Sequence, residues 1–346
     1  MVPVLDKSKE PLMPCSEKRA RRLMEKGEAK AYWYQGIFCI ILQKEPSAQN
    51  FQDVGVGVDP GSKREGYTVT TEKKVVLNLL TDTPCQVKKA VKNRRELRRC
   101  RRYRKTPYRK CRYNRALGGI PPSTKARWGA KLRVLRGLKK ILPITDINVE
   151  DIKAKTLKGK RRWNTSFSPL EVGKKWFYQE LRNDGFKVFL TQGFETKEHR
   201  DYRGFKKTGN KLKPVWSAHC VDSHSLCERI YGSDIEPFYG MYFLSFFNFS
   251  RRQIHVQNFA EGGVRKLYGG TLSLGLTRGT LVHHPKFGKS FVGGTSKSLI
   301  SLHSVETGRR LTQGAKKKDL KILSRSKWRT AFLPALKDGV SSRKTR

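Results

Sequence analysis

The sequence predicts a mixed α/β fold on three observations. DVGVGVDPGS at 53–62 reads as a buried strand, with Val54, Val56 and Val58 at period two and Gly55 and Gly57 leaving the other face open to close backbone approach. EGYTVTT and KVVLNLL follow as two further strand-like runs across a polar break, the pattern of a three-stranded antiparallel meander. Past a Gly-Gly and Pro-Pro break at 118–122 the chain alternates. A helix from about Ala126 to Leu142 precedes the strand ITDINVEDI, a helix around LEVGKKWFYQELRND, the strand FKVFLTQ and a helix from Ser217 to Gly232. Three strands followed by helix, strand, helix, strand and helix is the element order of the ribonuclease H fold.

Composition narrows the class of function. The 346 residues hold 74 Lys and Arg against 29 Asp and Glu, a net charge of +45. This exceeds what solubility needs and suits a polyanion, so nucleic acid is the default partner. A 37% hydrophobic share is enough for real cores, in one large domain with appendages or in two to three smaller ones. The chain has no apolar run of about 18 residues, and its amino terminus lacks a charged, apolar and small leader pattern, so a soluble cytoplasmic protein is expected. Seven cysteines, at 15, 39, 85, 100, 111, 220 and 227, form neither a C-x-x-C pair nor a disulfide framework.

The first fifty residues read as a small module. EPLMP at 10–14 suggests a turn, and SEKRARRLMEKGEAKA suggests a short helix with Ser16 as N-cap and Gly27 as its stop. Tyr32, Trp33 and Tyr34, then IFCIIL at 37–42, suggest a strand pair before a linker from Pro46 to Asn50. Lys18, Arg19, Arg21 and Arg22 suit either phosphates or a solvated helix face.

After the meander the chain turns strongly basic. Lys88 to Arg115 contains one acid, Glu96, and centres on RRELRRCRRYRK, with no helix breaker before Pro107 and only a thin apolar stripe of Leu97, Cys100 and Tyr103. Like charges on all sides repel, so such a helix needs phosphates around it. Arg94, Arg95, Arg98, Arg99, Arg101, Arg102 and Arg104 offer the bidentate geometry that phosphates accept. A disordered basic tail is the alternative, but the run lies between core-forming segments and has almost no Gly or Ser.

Three acids then fall at meaningful places. Asp59 ends the first strand, Glu150 ends the fourth, and Asp222 lies on the last helix one turn after His219 in SAHCVDSHSL. In the ribonuclease H order those places converge. Asp-Pro-Gly is a common turn, so Asp59 read by itself is equally a strand cap. Two divalent ions about 3.5–4 Å apart activate a water and stabilise the leaving oxygen in phosphodiester cleavage, and several carboxylates supply the hard oxygen ligands they require. Two Mg²⁺ ions are therefore expected on Asp59, Glu150 and Asp222, with Mn²⁺ as a substitute. His219 shares a helical face with Asp222, placed either to orient the attacking water or scissile phosphate or to serve as a structural histidine. Asp146, Asp151 and Glu228 lie nearby, with a register or an exposed setting less suited to ligation.

PLMP at 11–14, GVDPGS at 57–62, RRCRR at 98–102, Glu150 and His219-Cys-Val-Asp222 together resemble the IsrB family, relatives of the transposon-associated IscB nucleases. The resemblance spans most of the chain. It implies a PLMP module over 1–50, a RuvC-type core in segments 51–86, 117–160 and 161–235, an arginine-rich bridge helix over 87–116, and a β-rich module over 236–346 that contacts a target-adjacent motif. It also implies a long structured guide RNA (omega RNA), a guide–target heteroduplex and a displaced DNA strand as partners of a monomeric protein. IscB carries an HNH nuclease between the second and third RuvC segments, whereas 151–218 here has only His199 before the last helix and no paired histidine–metal motif. One nuclease site, and so a nickase, is implied.

The last third reads as short strands joined by Gly and Pro turns, suggesting a small β-barrel. Arg251, Arg252, Gln253, Arg265 and Lys266 offer side chains suited to base edges in a major groove or, equally, to phosphates. GKSFVGGT lacks the spacing of a nucleotide-binding phosphate loop. Against an RNA-guided nickase stand two rivals, a guide-independent RuvC-type nuclease such as a resolvase and a non-catalytic RNA-binding protein. The three acids speak against the latter, and the internal arginine helix against the former.

Overall fold

The amino-terminal strands fold into a sheet of their own. β1 (Val2–Leu5), β2 (Pro11–Cys15), α1 (Glu17–Glu25), β3 (Ala29–Tyr34) and β4 (Ile37–Leu42) give the strand order β2-β1-β4-β3, with Ala20, Leu23 and Met24 of the helix packed on Val2, Val4, Leu12 and Ile40. The expected turn at PLMP is instead the edge strand β2, a position where proline's missing N–H breaks no ladder. The turn lies earlier, where Asp6 Oδ1 accepts from the Glu10 N–H at 2.8 Å and Lys9 adopts φ +68°. Ser16 caps α1 by accepting from the Arg19 N–H, and Gly27 follows the helix end at φ +70°.

This computed structural model describes residues 1–46, 50–84, 86–103, 120–153, 171–211, 213–232, 234–246, 257–258, 263–264, 272–325 and 328–335. Its central sheet starts with β5 (Val54–Asp59), β6 (Arg64–Thr71) and β7 (Val75–Asp82), each antiparallel to the next. Next come α2 (Gln86–Tyr103), α3 (Pro122–Lys139), β8 (Asp146–Asp151), α4 (Lys174–Asn183) and β9 (Lys187–Gln192), with β8 parallel to both β5 and β9. α5 (Gly193–Tyr202), α6 (Trp216–His219), α7 (Val221–Tyr231) and β10 (Met241–Phe246) follow, and β10 pairs parallel with β7. The resulting order, β10-β7-β6-β5-β8-β9, places the antiparallel meander between β10 on one side and the parallel strands β8 and β9 on the other.

Alternation along the strands sorts the helices onto two faces. Gly57, Thr68 and Asn148 meet α7: Gly57 N–H donates to Cys227 Sγ, the Thr68 hydroxyl lies 2.8 Å from that of Ser223, and Asn148 donates to the Leu226 carbonyl. Residues of opposite parity meet α3 and α4. Glu65 there forms a buried ion pair with Lys131, supported by the Tyr67 hydroxyl at 2.6 Å, and Asp151 holds Lys174 and Tyr178. Trp128 stacks on Phe177 at 4.7 Å and ties the two helices together.

The structure departs from the expected helices at three places. α3 starts at Pro122, because proline suits the first helical turn, whose N–H groups have no intrahelical partner. The helix expected over 217–232 is broken at Cys220 into α6 and α7. α5 was not expected from the sequence; GFETKEHRDY buries only Thr196, too little for a legible stripe, and a capping box between Gln192 and Glu195 starts it.

Ser245–Arg329 makes a second compact unit. It contains the two-residue strands β11 (Gln257–Asn258), β12 (Gly263–Val264), β13 (Leu272–Ser273) and β14 (Leu276–Thr277), then β15 (Leu281–His284), β16 (Gly288–Ser296), β17 (Leu299–Ser304), β18 (Arg310–Ala315) and β19 (Lys321–Ser324). Among the described residues the main sheet is open, in the order β18-β17-β16-β15-β19, where a small β-barrel was expected. Val282, Val292, Ile300 and Leu302 are its core. β20 (Trp328–Leu333) then returns to the edge of the central sheet beside β10.

Candidate active site

Three separated elements deliver one carboxylate each. Pairing of Val58 with Val149 sets the ends of β5 and β8 side by side, so that Asp59 and Glu150 follow in register and their carboxyl groups act on one another. Both project toward the face covered by α7, by the parity of Gly57 and Asn148. Asp222, in the first turn of α7 and only 3% exposed, completes the group.

Glycine makes this convergence possible. A Cβ on Gly57 would fall well inside contact distance of the Ser223 carbonyl oxygen, and one on Gly66 would do the same at the His219 carbonyl. The backbone of α6 and α7 therefore rests directly on β5 and β6. Asp222 precedes Ser223, and the close approach brings its side chain to the strand ends.

Charge is concentrated here. Burial, with repulsion from Asp222, holds the Asp59 carboxyl above the ordinary carboxylate range, and burial with repulsion from Asp59 and Asp222 does the same to Glu150. Two cations contact Asp222, and the charge of Lys211 acts on Asp59 besides. Arg200 Nη1 of α5 lies 2.7 Å from Asp222 Oδ1, and the Lys207 ammonium contacts Asp222 Oδ2. Burial would lower the Lys207 pKa, but Asp59, Asp222 and Glu150 outweigh it and raise the value. No signal in the sequence marked Arg200 or Lys207, since both lie in a polar stretch without motif spacing.

His219, at the end of α6, is buried, with Nε2 3.1 Å from the Lys213 carbonyl oxygen. Burial lowers its pKa, helped by the charges of Arg64 and Lys207. The neighbouring acids are buried, where an exposed setting was expected, and are committed elsewhere. Asp146 accepts from Thr145 at 2.6 Å, Asp151 pairs with Lys174 at 2.7 Å, and Glu228 binds Arg203 at 3.1 Å and the Ile235 N–H at 2.9 Å.

A hard divalent cation fits the donor chemistry. Asp59, Glu150 and Asp222 offer oxygen donors only, and their mutual repulsion is what such a cation relieves. Among the described residues no group of three His, Cys, Asp or Glu side chains stands in a ready ligand shell, and the Asp222 oxygens are engaged by Arg200 and Lys207.

The arginine stretch lies on α2. Arg94, Arg95, Arg98 and Arg99 line an open groove with Val91, Pro121, Pro122 and Ser123. Leu97 and Tyr103 stay 62% and 85% exposed, so the thin apolar stripe finds no core among the described residues. Arg101 and Arg102 are helical in backbone, with side chains outside the described residues; Arg104, Arg251, Arg252, Gln253, Arg265 and Lys266 also lie outside them. Among the described residues no helix is long and apolar enough to cross a membrane.

The model of the RRXRR protein family matches residues 2–164. No curated protein matches the chain. Among solved structures, Thermus thermophilus RuvC in complex with Holliday junction substrate is 16% identical, over 51% of this chain and 90% of that one, with a TM-score of 0.29. A second T. thermophilus RuvC structure is 14% identical, over 50% of this chain and 90% of that one, with a TM-score of 0.28.

Proposed function

We propose that the protein is an RNA-guided DNA endonuclease of the IsrB type, which nicks the displaced, non-target strand at a RuvC-type site built on Asp59, Glu150 and Asp222. The observation that carries this is the meeting of three carboxylates from β5, β8 and α7 in a chain of net charge +45. A protein that only binds nucleic acid gains nothing from gathering acids at one spot, where they repel phosphates and one another.

In this reading the three carboxylates hold two divalent ions, Mg²⁺ in the cell. When bound, the ions supply an activated water and charge stabilisation at the leaving oxygen. The chain contributes position. β5 and β8 fix Asp59 and Glu150 through the ladder, and the α7 backbone on Gly57 fixes Asp222. His219 is placed one turn before Asp222, where its ring can orient the incoming phosphate once Nε2 leaves the Lys213 carbonyl. The arginine face of α2 binds guide-RNA phosphates, and base pairing within the guide–target heteroduplex shelters the paired strand. The unpaired strand is flexible enough to enter a carboxylate cleft in line.

The test is a duplex labelled separately on each strand, incubated with protein, the RNA that copurifies with it carrying a matching guide, and Mg²⁺. The displaced strand should be nicked and the paired strand left whole. Asp59→Ala, Glu150→Ala or Asp222→Ala should each abolish cutting while leaving binding largely intact, because affinity comes from the basic surface. Double-strand cutting, or cutting of the guide-paired strand, would overturn the proposal, and sequence-directed cutting without RNA would favour a resolvase.

A further inference from the structure

Between α5 and α6 the chain reads GFKKTGNKLKPV, and Lys207 and Lys211 in it act on the carboxylate site. The Lys207 ammonium contacts Asp222 and is drawn also by Asp59 and Glu150. The Thr208 N–H donates to the Ser217 carbonyl at 3.1 Å, and the Lys213 carbonyl oxygen stands 3.1 Å from His219 Nε2. A single segment thus engages both the acids and the histidine.

Lys207 differs from a structural ion pair of the interior. The Glu65–Lys131 pair is closed to water, its side chains 3% and 1% exposed, and serves packing. The Lys207 side chain keeps 32% of its surface exposed, although its end lies on a carboxylate that is 4% exposed. Its ammonium can move to solvent without opening the core, while Arg200 remains on the other Asp222 oxygen. Lysine suits this use, being a compact point charge on a flexible stem with no fixed fork to satisfy.

We propose that Lys207 is a tethered counter-ion of the site: in the nucleic-acid-free protein it competes with the divalent cation for Asp59, Glu150 and Asp222, and it transfers to a phosphate of the incoming strand. This rests on the proposed metal role of those carboxylates. A cation held among three acids weakens binding of any second cation there through Coulomb repulsion and by engaging donor oxygens. Phosphate offers the ammonium an equivalent partner, so strand binding releases the acids. Metal loading and substrate binding are thereby coupled, and the coupling is reciprocal.

The experiment measures Mn²⁺ binding by the loss of the free-ion electron paramagnetic resonance signal, on the full chain stripped of nucleic acid. Lys207→Gln should bind Mn²⁺ about tenfold or more tightly than wild type. Lys207→Arg, which keeps the charge, and Lys206→Gln, which removes an exposed neighbouring charge, should both stay near wild type. A single-stranded DNA oligonucleotide should raise the wild-type affinity toward that of Lys207→Gln. Thermal unfolding of each variant shows that the fold persists. Equal Mn²⁺ affinity in wild type and Lys207→Gln, abolished in both by Asp59→Ala, would overturn the role of Lys207 and leave the metal reading standing. Binding that ignores Asp59→Ala, or no binding to any form, would overturn both.

Discussion

Gly57→Ala is the substitution that most directly links the strand pattern to the site. The new methyl would overlap the Ser223 carbonyl oxygen, a backbone atom in the first turn of α7. No rotamer change relieves a clash with backbone, so the start of α7 must move off β5. Overpacking of this kind costs about 1–3 kcal/mol, a fall in melting temperature of roughly 2–10 °C for a domain of this size. The functional loss should be larger than the stability loss, because Asp222 precedes Ser223 and moves with it. A displacement near 1 Å in a catalytic group costs on the order of a hundredfold in rate. Gly55→Ala is the control. Its methyl would meet the Tyr231 hydroxyl at 2.8 Å and Ile230 Cδ1 at 2.9 Å, which are far ends of side chains at the other end of α7 and can swing aside. Differential scanning fluorimetry and single-turnover cleavage of strand-labelled duplex separate the two readouts. Equal effects of the two substitutions, or full cleavage by Gly57→Ala, would refute the claim that contact of α7 with Gly57 positions Asp222.

Two further outcomes follow from buried charge. Lys131→Met should destabilise the protein by about 3–5 kcal/mol by leaving Glu65 buried without its cation, whereas Glu65→Leu combined with Lys131→Met should recover most of that in chemical denaturation; a single substitution within 1 kcal/mol of wild type would show that Glu65 finds other solvation. Glu228 is pushed up by burial, but hydrogen bonds from His224, the Ile235 N–H and Arg203 outweigh this and hold it below the ordinary glutamate range. Its stabilisation is thus present above the unfolded pKa and lost as pH falls through the folded one. Glu228→Gln should be less stable than wild type by about 1.5–3 kcal/mol at pH 7, and the difference should shrink on acidification below about pH 4; a gap independent of pH would mean that ionisation of Glu228 contributes nothing.

The parts of this molecule legible in its sequence are those governed by short periods. Alternate valines and glycines identified β5 and the face that a second backbone approaches, and the structure places the Ser223 carbonyl over Gly57. Strand parity likewise separated Glu150 from Asp151, which faces Lys174 and Tyr178 on the opposite side. Other features depended on partners distant in sequence. β2 is a strand because β1 lies beside it, despite two prolines, and no local propensity announces that. α5 shows too little apolar surface to be seen, and Arg200 in it and Arg203 just past its end matter through Asp222 and Glu228. Lys207 is one lysine among four between α5 and α6 until the chain closes on itself.

The distribution of charge offers a physical account of how a strongly cationic chain tolerates an acidic site. A net charge of +45 favours phosphate, and among the described residues the ion pair on α2 is that of Glu96 with Lys92 at 3.7 Å. At the ends of β5 and β8 the sign reverses, and the chain lends two of its own cations, Arg200 and Lys207, to offset the reversal. Arg200 is 13% exposed and held on a helix docked against α7, so it suits permanent support. Lys207 lies on a loop at the rim, within reach of both water and the acids. A cleft that must admit a polyanion strand and hold divalent ions needs a counter-charge that can be exchanged, and of these two cations only Lys207 combines contact with Asp222 and a solvent-exposed path.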